Sequence, residues 1–439
     1  MRFILPCVAS FILTVAITPL VIRCAKACNC LDIPGGRRLH KEETPRWGGV
    51  AFFAGVLPLL FIANGDGTLT SYIVASCLLV GMGVIDDRTS LGWKVKFAGM
   101  AAAATIVICG GDIVVRSLGT YGPLGQVDLG WFSIPFTFIG IIGITNAINL
   151  LDGLNGLAGG VSLLGFLFMG IAAALAGNLA LALVCFAFVG ALGAFLLYNF
   201  PNARIFMGDS GSLFLGFSLS TTAVLLTQDA ASPVDPMFPF LVLLLPIFDT
   251  LRVLMVRLLS GSNPFRGDNL HLHFLIMEKN VSPANVTLLF WSLTAIFGII
   301  ALTLRNSTSI PYLGIVLYAS LFLGMFAVSL DRKRHTRGVG RNVTPFRAGI
   351  RAYSSGLTRH YTAGQGIARK EGSIRFKWIV VLGVILLPAQ TFAGHSADFR
   401  THRDMSVSAS SHMHGSHLGI SSITASCRTS SVSGDTHPD

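Results

Sequence analysis

Charge is what this sequence has least of. Only 12% of its 439 residues are Asp, Glu, Lys or Arg, against 52% apolar. With a mean hydropathy of +0.67, that balance excludes an ordinary soluble domain and indicates a polytopic membrane protein. Acidic residues are the scarcer kind, 21 against 32 basic, for a net charge of +11. The excess invites a nucleic-acid partner, but the Lys and Arg lie in short loops and in the tail beyond residue 330, where they act as orientation signals, so no nucleic acid is expected. Cysteine is sparse too: eight residues, with no visible disulfide framework. Cys24, Cys28 and Cys30 crowd one basic loop, yet they lack C-x-x-C pairing and a fourth ligand, which argues against a closed zinc site. No internal repeat is visible. The first apolar run, Phe3 to Ile22, ends in basic residues without a small-residue cleavage site and reads as an uncleaved span.

What the sequence has is a series of apolar runs. After 3–22 they fall at about 48–63, 69–85, 95–109, 131–148, 157–176, 179–198, 213–227, 237–259, 286–304 and 312–330, eleven in all. Several are shorter than the ~20 residues a straight span needs. The expected fold is an all-α polytopic membrane protein, a bundle of about eleven transmembrane helices. Loops 23–47, 86–96, 199–210 and 257–285 and the tail after Asp331 hold nearly all the Lys and Arg; the opposite loops hold only Arg116 and Arg305. The positive-inside rule makes the basic face cytoplasmic and puts the N-terminus outside.

The polar motifs share that basic face, whereas scattered helix caps and turns would use both. Asn146 to Gly160, NAINLLDGLNGLAGG, sets Asn149, Asp152 and Asn155 at intervals of three, on one face of a helical turn. Capping plus a glycine turn would explain it in isolation. Asp32 to Gly49, DIPGGRRLHKEETPRWGG, offers Arg37, Arg38, Lys41 and Arg46 to phosphates, or serves only to orient the chain. Asp86-Asp87-Arg88, with Lys94 and Lys96 after it, puts like charges side by side, an arrangement that needs a metal, a cation or water. In FMGDSGS, Asp209 between two glycines is either a cap or a carboxylate open to Mg²⁺ and a substrate phosphate. PIFDTLR places Asp249 at the end of an apolar span, and NPFRGDNLHLHF carries Arg266, His271 and His273. The histidine spacing does not suit zinc; anion binding or proton handling fits it better. Carboxylates, bases and histidines gathered on one face are what phosphoryl transfer needs.

In these motifs the chain resembles the polyprenyl-phosphate N-acetylhexosamine-1-phosphate transferases, a family that includes bacterial undecaprenyl-phosphate GlcNAc-1-phosphate transferases and the phospho-N-acetylmuramoyl-pentapeptide translocase. The motifs span residues 30–285 and the layout extends to about 330. PIFDTLR, with Asp249 where the translocase has Glu, and HLHF favour the GlcNAc branch. The resemblance implies Mg²⁺, or Mn²⁺ in its place, on Asp209 with Asn149. It implies Asp86, Asp87, Asp152, His271 and His273 as catalytic groups, and Lys96, Asn149, Asn155, Phe206, Asp249 and Arg266 as substrate contacts. Two positions depart from the family pattern: Phe274 replaces the last histidine, and Met100 stands where relatives often have Gln.

The reaction so implied transfers N-acetylhexosamine 1-phosphate, most simply GlcNAc 1-phosphate, from a UDP-sugar to undecaprenyl phosphate, releasing UMP. It would be the first membrane step of a cell-envelope polysaccharide such as O-antigen. The enzyme would be multi-pass in the bacterial inner membrane, with a cytoplasmic active site and room for a homodimer. The alternatives are the translocase reaction and, in another class, an anion transporter, which predicts mid-span polar groups that the chain does not show. The transferase core is expected at 1–330, a basic cytoplasmic linker at 331–377, and a further apolar segment at 378–393, able to form a twelfth span. Residues 394–439 read as a disordered Ser- and His-rich tail.

Overall fold

A computed structural model describes residues 2–32, 43–62, 67–228, 234–260 and 270–335. Arg37, Arg38, Lys41, Arg266 and residues 336–439, with the roles expected of them, lie outside the described residues. The described chain is helical apart from two short hairpins. Among the described residues, nine helices are long and apolar enough to cross a membrane. They are α1 (Ile4–Ala27), α3 (Gly67–Thr89), α4 (Trp93–Gly111), α5 (Ser133–Leu151), α6 (Leu157–Leu175), α7 (Leu179–Asn199), α8 (Gly208–Gln228), α12 (Pro283–Thr303) and α13 (Ser309–His335). The bundle is therefore the expected all-α polytopic membrane protein.

Two of the eleven apolar runs are not continuous spans. The run at 48–63 forms α2 (Gly48–Ile62), a helix of 15 residues. The run at 237–259 divides into α9 (Met237–Val242) and α10 (Leu244–Leu259). Pro246 explains the division: its ring clashes with the carbonyl four residues back, which belongs to Val242, the last residue of α9. A short helix, α11 (Leu272–Met277), follows the break.

Helix α8 is the centre of the bundle. Within its apolar window 89% of residues are buried, against 28% for α1 and α13 at the margin. It packs against α5, α3, α2 and α6. A central helix in hydrocarbon gains from small residues that let neighbouring backbones approach. At Gly83 of α3, a Cβ would lie 2.3 Å from the backbone of Ser210. The hydroxyls on α8 are satisfied within the bundle: Ser220 and Thr221 donate to the Phe217 carbonyl, and Tyr72 donates to Ser218 Oγ at 2.7 Å.

Both hairpins were missed by the helix-only reading. Strands β1 (Leu31–Asp32) and β2 (Thr44–Pro45) pair antiparallel at the motif end of the bundle. Strands β3 (Ser117–Thr120) and β4 (Gln126–Asp128) pair at the opposite end. There Gln228, the last residue of α8, accepts from the Arg116 and Ser117 amides and donates to the Ser117 carbonyl.

Candidate active site

The site is built around the first turn of α8. The chain reaches it through residues 205–208, clamped against β2: the Phe206 amide donates to the Pro45 carbonyl, and the Gly48 and Gly49 amides donate to the Phe206 and Met207 carbonyls. The loop rich in Lys and Arg and the FMGDSG motif thus share backbone hydrogen bonds. Gly208 has φ +72, and a Cβ there would meet the Arg46 carbonyl at 2.1 Å and Asp87 Oδ2 at 2.4 Å. Only glycine combines that backbone with that proximity.

Adjacent on α3, Asp86 and Asp87 have different partners. Asp87 accepts from the Asp209 amide at 2.8 Å, from the Ser210 amide at 3.3 Å and from Ser210 Oγ at 2.9 Å. It caps α8 from another helix, placing negative charge on amides that have no partner within their own helix. Asp86 accepts the Leu91 amide and pairs with Lys96 Nζ at 2.6 Å. The same ammonium contacts Asp209 Oδ2. Asn149 donates from Nδ2 to Asp209 Oδ1 and to Ser212 Oγ, both at 2.8 Å.

Asp152 follows α5 in the loop to α6 and is half-buried. Burial, with the charges of Asp209 and Asp87, pushes its carboxyl up to about 8. The loop is anchored by groups the sequence reading passed over. The Gly156 amide donates to Asn199 Oδ1 at 2.6 Å, Asn199 Nδ2 donates to the Ile205 carbonyl, and Trp291 Nε1 donates to the Gly156 carbonyl. Thr287 Oγ1 donates to the Asn155 carbonyl, and Asn155 Nδ2 to the Pro201 carbonyl. A polar residue ending an apolar run was the only sequence signal for Asn199.

The histidine segment closes the other side. Asp249 is 2% exposed. It pairs with His271 Nδ1 at 2.9 Å, with the Leu272 amide at 2.9 Å and with Arg252 at 3.0 Å. Arg252 also donates to the Leu270 carbonyl. His271 Nε2 and both ring nitrogens of His273 are buried without a partner. The two rings lie nearly parallel, 5.8 Å apart. His273 packs on Phe274, and its Nε2 fills the space a Cβ would take at Gly153. Burial holds the His273 imidazole down to about 3, hence neutral.

These contacts bear on several expected roles. Asp249 faces His271 and the α11 backbone, an arrangement that positions the histidine loop. Asn155 Nδ2 ties its loop to Pro201. Asp87 has both oxygens committed to α8, and Asn149 turns N–H groups toward Asp209, which makes it a support for that carboxylate. Phe206 lies in the clamp on β2. Asp86, Lys96, Asn149, Asp152 and Asp209 do converge, with Arg46 close enough to act on the Asp152 charge. Arg46 is itself held by Asp32 at 2.6 Å.

The donor set suits a hard divalent cation. It is all oxygen, and the ammonium between Asp86 and Asp209 shows that positive charge is accepted there. Among the described residues no three His, Cys, Asp or Glu gather into a metal cage. Mg²⁺ is a cation that binds through one or two carboxylates and takes its remaining ligands from water and substrate phosphate. Burial pushes the Cys30 thiol up to about 11.

The family model described as glycosyl transferase family 4 matches residues 69–227, from α3 to the end of α8. The chain is 32% identical over 329 residues to a probable undecaprenyl-phosphate N-acetylglucosaminyl 1-phosphate transferase of Bacillus subtilis (strain 168), covering 74% of this chain and 91% of that protein. It is 30% identical over 323 residues to the undecaprenyl-phosphate alpha-N-acetylglucosaminyl 1-phosphate transferase of Yersinia pestis, covering 72% and 88%. The enzyme of that name from Escherichia coli (strain K12) is 27% identical over 309 residues, covering 69% and 84%.

Proposed function

This chain belongs to glycosyl transferase family 4 and is a membrane glycosyl-1-phosphate transferase, and on that premise we propose that it transfers N-acetylglucosamine 1-phosphate from UDP-N-acetylglucosamine to undecaprenyl phosphate, releasing UMP. The observation that carries the proposal is the convergence of Asp209, Asp86, Lys96 and Asp152 at one end of the bundle, where a lipid phosphate and a soluble nucleotide can meet. The names of the relatives favour GlcNAc over the N-acetylmuramoyl-pentapeptide substrate.

Two anions must approach each other in this reaction, and their repulsion is the main obstacle. Asp209, supported by Asn149 and by the Asp87 cap, would hold Mg²⁺ with Asp152 as the second carboxylate. When bound, the ion neutralises the diphosphate and stabilises charge on the transferring phosphoryl group. Lys96 meets the phosphate of the lipid, and Arg46 faces the donor's phosphates. The attacking group is a phosphate monoester, largely dianionic at neutral pH with a second pKa near ~6, so no protein base is required. Asp87, engaged on α8, takes no proton. His271 is fixed through Nδ1 by Asp249, and His273 brings Nε2 against Gly153 of the loop that carries Asp152. The active face is cytoplasmic, where nucleotide sugars are made, and the membrane is the bacterial inner membrane.

The test uses purified protein with Mg²⁺, undecaprenyl phosphate and UDP-GlcNAc labelled in its β-phosphate. The label should appear in the lipid product while UMP is released. Label leaving as UDP would make the enzyme a sugar transferase that breaks a different bond, and the proposal would be wrong.

A further inference from the structure

Lys96 occupies the place at which a divalent cation acts. It lies in the first turn of α4, with its side chain a quarter exposed, and its ammonium touches carboxylates from two other helices: Asp209 on α8 and Asp86 on α3, the latter at 2.6 Å. Both Asp209 oxygens are engaged, Oδ1 by Asn149 and Oδ2 by Lys96. A cation arriving at Asp209 therefore meets a positive charge already in contact with its ligand. Asp86 holds the Leu91 amide with its other oxygen at 2.5 Å, at the turn between α3 and α4. It is a fixed anchor toward which the ammonium can retreat. A lysine suits this movement, being a compact charge on a flexible stem, whereas the arginine fork binds in one fixed plane.

We propose that Lys96 is an internal counter-cation that competes with the divalent ion for Asp209, and that the acceptor's phosphate, by drawing the ammonium away, strengthens binding of that ion. This rests on the reading of Asp209 as a metal ligand given above. Cation and acceptor phosphate then bind cooperatively because Lys96 passes from one to the other, and the coupling is reciprocal. The Asp86–Lys96–Asp209 bridge offsets one of the two carboxylate charges of the empty site, and both charges become available to the ion only when an anion has engaged Lys96. The reacting groups are thus assembled together, and an ion held without acceptor is held weakly.

The test is direct binding of Mn²⁺ to the full-length protein in detergent, followed by the electron paramagnetic resonance of the free ion. Lys96→Gln should bind Mn²⁺ about tenfold more tightly than the parent while losing transferase activity; Lys96→Arg, which keeps the charge, should not. A short-chain prenyl phosphate should tighten Mn²⁺ binding by the parent roughly fivefold or more, and much less in Lys96→Gln. Asp209→Asn serves as the reference without the ligand. Equal or weaker affinity in Lys96→Gln, with binding still lost in Asp209→Asn, overturns the competition and leaves the metal reading standing. No Mn²⁺ binding by the parent overturns both. A measurement on the parent alone covers a variant that fails to fold: limited acylation read by mass spectrometry. Mg²⁺ should raise labelling of Lys96 about twofold or more relative to Lys94, because the ammonium leaves Asp209. An unchanged ratio overturns the proposal.

Discussion

Asp86, Asp87, Asp152 and Asp209 share one end of the bundle, and their partners separate their roles. Asp87 caps α8, so Asp87→Asn should weaken the cap by about 0.5–2 kcal/mol and displace Asp209. Its rate defect is expected to persist undiminished at pH 9 in a turnover assay, because a positioning group does not exchange protons with substrate. A defect confined to low pH would return Asp87 to proton handling. Asp152 differs: its carboxyl, pushed up to about 8, is neutral below that pH in the cation-free protein. Protons then compete with the divalent ion. Mn²⁺ affinity should rise with pH up to about 8, by at most about tenfold per unit, and level off above. Asp152→Asn should flatten that slope. Behind the site, Asp249→Ala leaves His271 Nδ1, the Leu272 amide and Arg252 without their acceptor. A loss of about 10–100-fold in kcat with little change in KM is expected, Asp249→Glu recovering part of it.

The bundle elements matter for where they bring α8. The first turn of that helix is set by the cap from α3, the backbone clamp from β2 and the close approach at Gly83. Gly83→Ala would put a methyl against the Ser210 backbone, which has no side-chain freedom with which to yield. It should cost about 1–3 kcal/mol as overpacking. Thermal unfolding in detergent reads that cost, and the Mn²⁺ titration reads the displacement of Asp209. A second element effect is the break between α9 and α10. It lets α10 leave the bundle axis, so that Asp249 and Arg252 meet the histidine segment while Leu251, Leu254, Met255 and Leu258 remain exposed as a lipid-facing side. A continuous helix through 237–259 would present Asp249 to hydrocarbon without those partners.

For the whole molecule, the motif end and the β3–β4 end should differ in access. In a cysteine-free background, a cysteine at position 202 is expected to be shielded from an impermeant thiol reagent in intact cells, and one at Leu124, 80% exposed in the hairpin, to be labelled. The reverse pattern would invert the topology and place the active face outside. The last described helix ends at His335, and every site contact lies before it. A chain ending there should keep its transferase activity in the labelled-phosphate assay.

The sequence by itself determined the membrane class, the eleven apolar segments, the basic face and the motifs gathered on it. Hydropathy and charge act locally, segment by segment, so they can be read without contacts. It did not determine what each polar group does. Asp86 and Asp87 are chemically identical neighbours, and adjacent positions on a helix point about 100° apart. Helix rotation alone gives one to Lys96 and the other to the end of α8. Asn155 and Asp249 look like ligands in sequence because a polar residue at the edge of an apolar run carries no sign of its partner. Only the packing of α7, α10 and α12 onto the site shows that Pro201 and His271 are those partners, and that Asn199 and Trp291, in unremarked segments, hold the loop on which Asp152 stands.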